Sequence, residues 1–142
     1  MDIRKLTDDF SVAPQLTPDE MPAVAAAGFR TVICNRPDTE IGPDLCCEEM
    51  RVAAEAAGLV WFDNPIEAGG MTMENVDDQG KISTHGQKPV LAYCRSGTRS
   101  ATAWAFSQAG ELGVDEVISA AANGGYDLSP YRSQLVALAD SK

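Results

Sequence analysis

The feature that most constrains the fold is the apolar run Val90–Tyr93, which is followed directly by the loop Cys94–Ser100. A strand that is apolar on both faces is typical of the centre of a parallel sheet, which helices cover on both sides. The loop contains glycine and small hydroxyl residues, and it leads into an Ala-rich segment with helical spacing from about Thr98. The sequence therefore predicts a buried strand, a tight loop and a helix, an arrangement found in α/β proteins.

Short apolar runs alternate with helix-like segments along the rest of the chain. The predicted strands are Phe10–Ala13, Phe29–Cys34, Leu59–Phe62 and Val90–Tyr93. The predicted helices are Asp19–Ala27, Asp44–Ala57, one beginning after Thr72, Thr98–Ala109, Val114–Ala122 and one capped by Ser129-Pro130. This alternation predicts a single α/β domain over residues 1–142, with a parallel-rich central sheet flanked by helices.

Charge and composition argue against several classes of partner. The chain has ordinary globular composition, with 44% hydrophobic and 23% charged residues, but its formal net charge is −10. This charge argues against binding to nucleic acid and to anionic membrane surfaces. The polar start of the chain does not resemble a signal peptide, and no apolar run approaches membrane-spanning length. We therefore expect a cytoplasmic protein.

The four cysteines are placed unlike a disulfide framework, since two are adjacent and a third lies in an apolar run. They predict free thiols in a reducing compartment. Cys34 is expected in the core, and Cys46 or Cys47 could act as a resolving thiol. Because the chain has one histidine, His85, which is expected in an exposed loop, we expect no metal site and no other cofactor.

The loop after the central strand has the features of an anion site. Its N–H groups surround one point at a helix N-terminus, where the helix dipole favours anions and the thiolate form of cysteine. Cys94 is therefore the candidate nucleophile, and Arg99 is the candidate ligand of the substrate anion. Arg95 either steers ligands or points to solvent, and Ser100 either donates to the Cys94 sulfur or caps the helix. The backbone amides are expected to come from Ser96, Gly97 and Thr98, with Gly97 permitting a positive φ.

Two further loops follow neighbouring strands, so they should meet the Cys94 loop at the carboxyl edge of the sheet. The first carries Arg36, which either contributes positive charge to the site or forms a salt bridge with Asp38 or Glu40. The second carries Asp63 and Glu67, which together with Asp38 are the candidate proton donors for a leaving group.

Four segments carry a family resemblance: Val32–Pro37, Asn64–Ile66, Tyr93–Ser100 and Ala121–Leu128. They resemble the bacterial phosphatase-like domain named after beta-lactamase-hydrolase-like proteins. The similarity covers nearly the whole chain, and the element order is similar to that of dual-specificity and tyrosine phosphatases. Some relatives carry a fused metallo-beta-lactamase-type persulfide dioxygenase. This chain is too short to include one, so the resemblance implies a stand-alone version.

The family carries both phosphatase and sulfurtransferase functions, and the loop is expected to decide between them. Four residues separate Cys94 from Arg99, whereas cysteine phosphatases have five, and Tyr93 stands where those enzymes usually have histidine. The shorter loop is similar to that of rhodanese-type sulfurtransferases and implies a cradle suited to a persulfide sulfur. We therefore predict a sulfurtransferase that moves sulfur from thiosulfate or a persulfide through a Cys94 persulfide to a thiol or cyanide acceptor.

Two alternatives remain open at this point. The first is a cysteine-based phosphatase that hydrolyses phosphotyrosine or small phosphomonoesters through a Cys94 phosphocysteine, which the phosphatase-like element order favours. The second is a non-catalytic module that senses anions or oxidants through Cys94. Both enzyme hypotheses require a small anionic substrate and no cofactor.

Overall fold

A five-stranded sheet forms the centre of the computed structural model, which describes residues 1–141. Its strands are β1 (Arg4–Lys5), β2 (Phe10–Ala13), β3 (Thr31–Cys34), β4 (Val60–Asp63) and β5 (Val90–Tyr93). They lie in the order β1-β2-β5-β3-β4, so the most apolar strand is central. Four strands run parallel, and β1 pairs antiparallel with β2 at one edge. The predicted α/β fold with a parallel-rich sheet is confirmed.

Six α-helices are present in residues 1–141: α1 (Met21–Ala26), α2 (Cys47–Ala56), α3 (Met73–His85), α4 (Thr98–Leu112), α5 (Val114–Asn123) and α6 (Arg132–Asp140). Helix α2 begins later than predicted, because Pro43–Leu45 forms a separate 3-10 turn and the backbone at Cys46 is extended. His85 ends α3 rather than lying in a loop. Across these residues no helix is both long and apolar enough to cross a membrane.

The two faces of the sheet contribute to different cores because successive strand residues point to opposite sides. Ala92 of β5 enters a core with Trp104 of α4 and Leu135 of α6. The next residue, Tyr93, enters the other core, which includes Met50 of α2. The helices therefore cover both faces, and the loop after β5 emerges where the two layers meet.

Helix α3 continues through Gly80, a residue that would weaken an isolated helix. A Cβ atom at this position would lie 2.9 Å from the Cβ atom of Ser107 on α4. The absence of a side chain therefore lets the two helices approach closely, and the packing gained outweighs the low helix propensity of glycine.

Candidate active site

Cys94 lies at the base of the loop between β5 and α4. Its side chain is fully buried, and its Sγ accepts a hydrogen bond of 3.1 Å from the backbone N–H of Gly97. Gly97 has φ +92°, a left-handed conformation that glycine adopts readily and that turns this N–H towards the sulfur. The loop thus directs a backbone donor at Cys94 from the N-terminus of a fifteen-residue helix.

The three predicted loops meet at Arg99. Its Nη1 donates to the backbone oxygen of Ile66 at 2.7 Å and to one carboxylate oxygen of Glu40 at 2.8 Å. Its Nη2 donates to the other carboxylate oxygen of Glu40 at 2.8 Å, which completes a bidentate pair. The hydrogen bond to Glu40 is the main reason that the pKa of Arg99 is raised, and the charge of the nearby Cys94 sulfur raises it further.

Glu40 connects two arginines. Arg36 Nε lies 3.5 Å from a Glu40 carboxylate oxygen, and Arg36 Nη2 donates to the Glu40 backbone oxygen at 3.0 Å. Of the two hypotheses for Arg36, the structure therefore shows the salt bridge. The pKa of Glu40 is lowered, first by its hydrogen bond from Arg99 and then by the positive charge of both arginines. The role of Glu40 is not visible in the sequence, because its partner Arg99 lies 59 positions away.

The other loop residues have different environments. Arg95, Ser96 and Thr98 are exposed, and the Ser96 hydroxyl donates to the Thr98 hydroxyl at 3.0 Å. The Thr98 N–H donates to the Ser96 hydroxyl at 3.4 Å and not to Cys94. The buried Ser100 hydroxyl has no hydrogen-bond partner within residues 1–141, so the expected bond to the Cys94 sulfur is absent there.

Tyr126 supports the loop from outside. Its hydroxyl donates to the Ser96 backbone oxygen at 2.9 Å, and a Cβ atom at Gly97 would lie only 2.1 Å from the same hydroxyl oxygen. The Arg4 guanidinium lies 5.4 Å from the Tyr126 ring centroid and also donates to the Gly124 backbone oxygen at 3.1 Å. Arg4 of β1 and Tyr126 in the turn after α5 therefore support the conformation of the Cys94 loop. The role of Tyr126 is not visible in the sequence either, since nothing in the local pattern connects Tyr126 to Ser96.

A cavity of about 340 Å³ opens beside the loop. Its lining includes Thr98 and Arg99 from the Cys94 loop and Glu67 from the loop after β4. Its apolar wall consists of Ile66, Met71, Phe106 and Tyr131. Glu67 is exposed to solvent, so this carboxyl group shares a cavity with the arginine and remains open to water.

Asp63 does not face this cavity. One carboxylate oxygen accepts a 2.9 Å hydrogen bond from the Trp61 indole N–H. The carboxylate also lies within 4.8 Å of the sulfur atoms of Cys34 and Cys47. The prediction that Asp63 accompanies the Cys94 loop is therefore wrong. It is the last residue of β4, and its side chain turns towards the face covered by α2.

Sequence comparison identifies the family. Residues 2–111 match the family model described as the phosphatase-like domain of beta-lactamase hydrolase-like protein. The chain belongs to this family. A beta-lactamase hydrolase-like protein from Agrobacterium fabrum strain C58 is 25% identical over 126 residues, which cover 87% of this chain. The chain spans only 29% of the length of that relative.

Solved structures agree with this assignment. A protein from Neisseria meningitidis Z2491, proposed to be a phosphatase, is 34% identical to this member of the family and superposes with a TM-score of 0.83. The match covers 97% of this chain and 99% of the Neisseria chain. Pseudomonas aeruginosa TpbA, solved in complex with phosphotyrosine, shares 12% identity and a TM-score of 0.68, with 99% of this chain and 89% of TpbA covered. The predicted phosphatase-like fold is confirmed.

These comparisons overturn the predicted sulfurtransferase. The family and the solved structures point to cysteine-based phosphatases, so rhodanese-type transfer from thiosulfate or a persulfide to a thiol or cyanide is wrong as the main prediction. That prediction depended on a spacing one residue shorter than is usual in phosphatases. Loop length alone does not determine what an anion site binds, because residues outside the loop, such as Glu40 and Tyr126, also set its donor geometry.

Proposed function

We propose that this domain is a cysteine-dependent phosphatase that hydrolyses small phosphate monoesters, with phosphotyrosine as a candidate substrate. The observation that carries the proposal is the Cys94 sulfur, which receives the Gly97 N–H at 3.1 Å beside Arg99 at a helix N-terminus. The phosphatase-like fold supports the same chemistry, and TpbA is a protein of this fold that binds phosphotyrosine.

The reaction proceeds in two steps. The Cys94 thiolate attacks phosphorus, the bond from phosphorus to the leaving oxygen breaks, and that oxygen departs with a proton from an acid. Water then attacks the phosphocysteine and gives a proton to the acid, which is now deprotonated. The phosphorus–sulfur bond breaks, inorganic phosphate is released, and the Cys94 thiolate is regenerated. In both steps the negative charge on the phosphoryl oxygens is stabilised by Arg99 and by the N–H groups of the loop.

Arg99 is oriented for this role before substrate arrives. Three hydrogen bonds hold it, two to Glu40 and one to Ile66. A guanidinium has five N–H groups, so two remain for phosphoryl oxygens. Glu40 is therefore a positioning residue that fixes the plane of the guanidinium and leaves part of its donor edge open.

Glu67 is the proposed proton donor. Its carboxyl group lines the same cavity as Arg99, and its exposure allows it to exchange protons with solvent. A leaving group that extends from the phosphoryl site into this cavity would pass beside Glu67. The apolar wall, which includes Phe106 and Tyr131, suits an aryl leaving group.

The test is hydrolysis of p-nitrophenyl phosphate by the protein and by Cys94→Ser, with Cys46→Ser as the matched control outside the loop. We expect turnover to fall at least about 10³-fold in Cys94→Ser and to be unchanged in Cys46→Ser. Rapid acid quench should trap a phosphoryl group on the peptide that contains Cys94. Equal turnover in Cys94→Ser, or failure of the protein both to hydrolyse phosphate esters and to bind vanadate, would contradict the proposal.

A further inference from the structure

A pair of sulfur atoms lies at the end of β3, the strand next to β5. Cys34 is the last residue of β3, and Cys47 is the first residue of α2. Both are free thiols, and the Cys47 sulfur donates to the Cys34 sulfur at 3.5 Å, which is van der Waals contact. Cys34 in turn donates to the backbone oxygen of Arg36 at 3.4 Å.

The surroundings make the two thiols unequal. The hydrogen bond from Cys47 is the largest of the effects that lower the pKa of Cys34. The same contact raises the pKa of Cys47. Cys34 is therefore the more acidic thiol, and the thiolate is the nucleophilic form. Cys34 is 3% exposed, whereas Cys47 is only partly buried, so the pair lies just beneath the surface.

The segment between the two cysteines links them to the proposed active site. Residues 35–46 leave β3 and return to α2, and they carry both Arg36 and Glu40. Glu40 holds Arg99 through two hydrogen bonds. The two ends of this segment already lie close together, because the Asp38 carboxylate near its start accepts a 2.8 Å hydrogen bond from the Cys47 N–H just after its end. A covalent bond between the cysteines would close this segment into a loop at its base.

We propose that Cys34 and Cys47 form a reversible disulfide when the protein is exposed to hydrogen peroxide. This bond restricts the motion of residues 35–46, the segment that positions Arg99 through Glu40. The Cys34 thiolate attacks one peroxide oxygen, the O–O bond breaks, and the departing hydroxide takes up a proton as water. The Cys47 sulfur then attacks the Cys34 sulfenic acid, an S–S bond forms, and a second water leaves. Two thiols are oxidised and one peroxide is reduced, and a dithiol reductant reverses the change.

The disulfide can be tested without the proposed phosphatase activity. The protein with Cys94→Ser is treated with hydrogen peroxide, free thiols are alkylated, and the chain is cut after glutamate. Cleavage after Glu20, Glu40 and Glu48 separates residues 21–40, which contain Cys34, from residues 41–48, which contain Cys46 and Cys47. We expect these two peptides to remain linked until a dithiol is added. The link should persist in Cys46→Ser and disappear in both Cys47→Ser and Cys47→Ala.

Hydrogen exchange provides the second readout. Amides within residues 35–46 should exchange several-fold more slowly in the oxidised protein, and the effect should vanish in Cys47→Ser. Absence of the linked peptides under peroxide would overturn the proposal, as would a link that survives in Cys47→Ser. It would also be overturned if Zn²⁺ blocked alkylation of both thiols and peroxide without the metal produced no link, since the pair would then be a metal site. All of these outcomes are independent of phosphate hydrolysis.

Discussion

Cys34 and Cys94 lie at the ends of adjacent parallel strands, yet their surroundings differ in kind. Cys34 pairs in register with Tyr93 and shares its core, whereas Cys94 comes one residue later and turns away. The Cys94 sulfur receives a backbone N–H beside a guanidinium, whereas the Cys34 sulfur contacts a second thiol and a backbone carbonyl. Both are buried, so burial alone does not assign a role to a cysteine.

The difference lies in the charge that each environment can accept. Around Cys94, the Gly97 N–H and the Arg99 guanidinium provide positive charge, which suits the proposed attack on a phosphoryl group. Around Cys34, no arginine side chain among residues 1–141 forms a hydrogen bond with the sulfur, and the nearby Asp63 carboxylate would oppose an incoming anion. This region favours chemistry between two sulfur atoms, in which no anionic substrate has to enter.

The largest expected effect comes from removing the positive charge of Arg99, which lies beside Cys94 and not beside Cys34. Arg99→Met should lower kcat/KM for aryl phosphate by about 10³-fold, because transition-state charge loses its main partner. The yield of linked Cys34 and Cys47 peptides should not change. Arg95→Met is the matched control, since Arg95 is exposed, and it should change kcat/KM by less than about fivefold. Equal losses in the two variants would contradict the role given to Arg99.

The next largest effect distinguishes the carboxyl group of Glu67 from that of Asp63, which lies four residues earlier at the end of β4. Glu67→Gln should lower kcat for alkyl phosphates by about 10²-fold and for p-nitrophenyl phosphate by only a few fold, because a good leaving group needs little protonation. Asp63→Asn is the control, since Asp63 lies near Cys34 and not in the cavity. The ratio of alkyl to aryl turnover in each variant is the measurement. An unchanged ratio in Glu67→Gln would remove Glu67 as the acid.

The Gly97 N–H distinguishes the Cys94 environment from that of Cys34, and its geometry can be disturbed directly. Gly97→Ala places a side chain at φ +92° and against the Tyr126 hydroxyl, so it should cost about 2–4 kcal/mol of unfolding free energy. Gly113→Ala has φ +94° and open space, so it should cost only about 1 kcal/mol. Urea unfolding measures both. Adding Tyr126→Phe should recover part of the loss at position 97, and no recovery would contradict the steric explanation.

The smallest effect concerns Glu40, which lies between Cys34 and Cys47 in sequence and holds Arg99. The pKa of Glu40 is lowered in the folded state, so its ion pair contributes stability above its ordinary pKa of about 4.5 and loses it as pH falls through the lowered value. Glu40→Gln should therefore lower the free energy of unfolding by about 1 kcal/mol near pH 7. The difference in stability between the two proteins should disappear below about pH 4. Unfolding midpoints of the protein and of Glu40→Gln across this range test it, with the exposed Glu49→Gln as the control. A gap that stays constant with pH would contradict the ion pair.

The sequence was sufficient for the fold because each main element carries its own local signal. The apolar run of β5, the helix stop at Gly58 and the cap at Thr72 are all readable within a few residues. The two-residue strand β1 was missed, since its pairing with β2 leaves no periodic pattern. The continuation of α3 through Gly80 is not readable from the sequence, because the close contact of Gly80 with Ser107 depends on packing between two helices.

The candidate site was only partly predictable for a related reason. Cys94 and Arg99 stand together in one loop, so their spacing marks them. Glu40, Tyr126 and the destination of Asp63 depend on contacts between distant segments. The prediction of sulfur transfer was wrong for the same reason. It was based on the length of the Cys94 loop, and the distant residues that contact the loop could not be identified from the sequence.

The bond from Tyr126 to Ser96 has a consequence for any shortened form of this protein. The family match ends at residue 111, ahead of α5 and of the turn that contains Tyr126. A fragment cut at that limit would keep every residue of the Cys94 loop but lose its outer support, together with Leu128 and Leu135, which are buried against the sheet layer. The smallest unit that preserves the anion site therefore extends well past the region that defines the family by sequence.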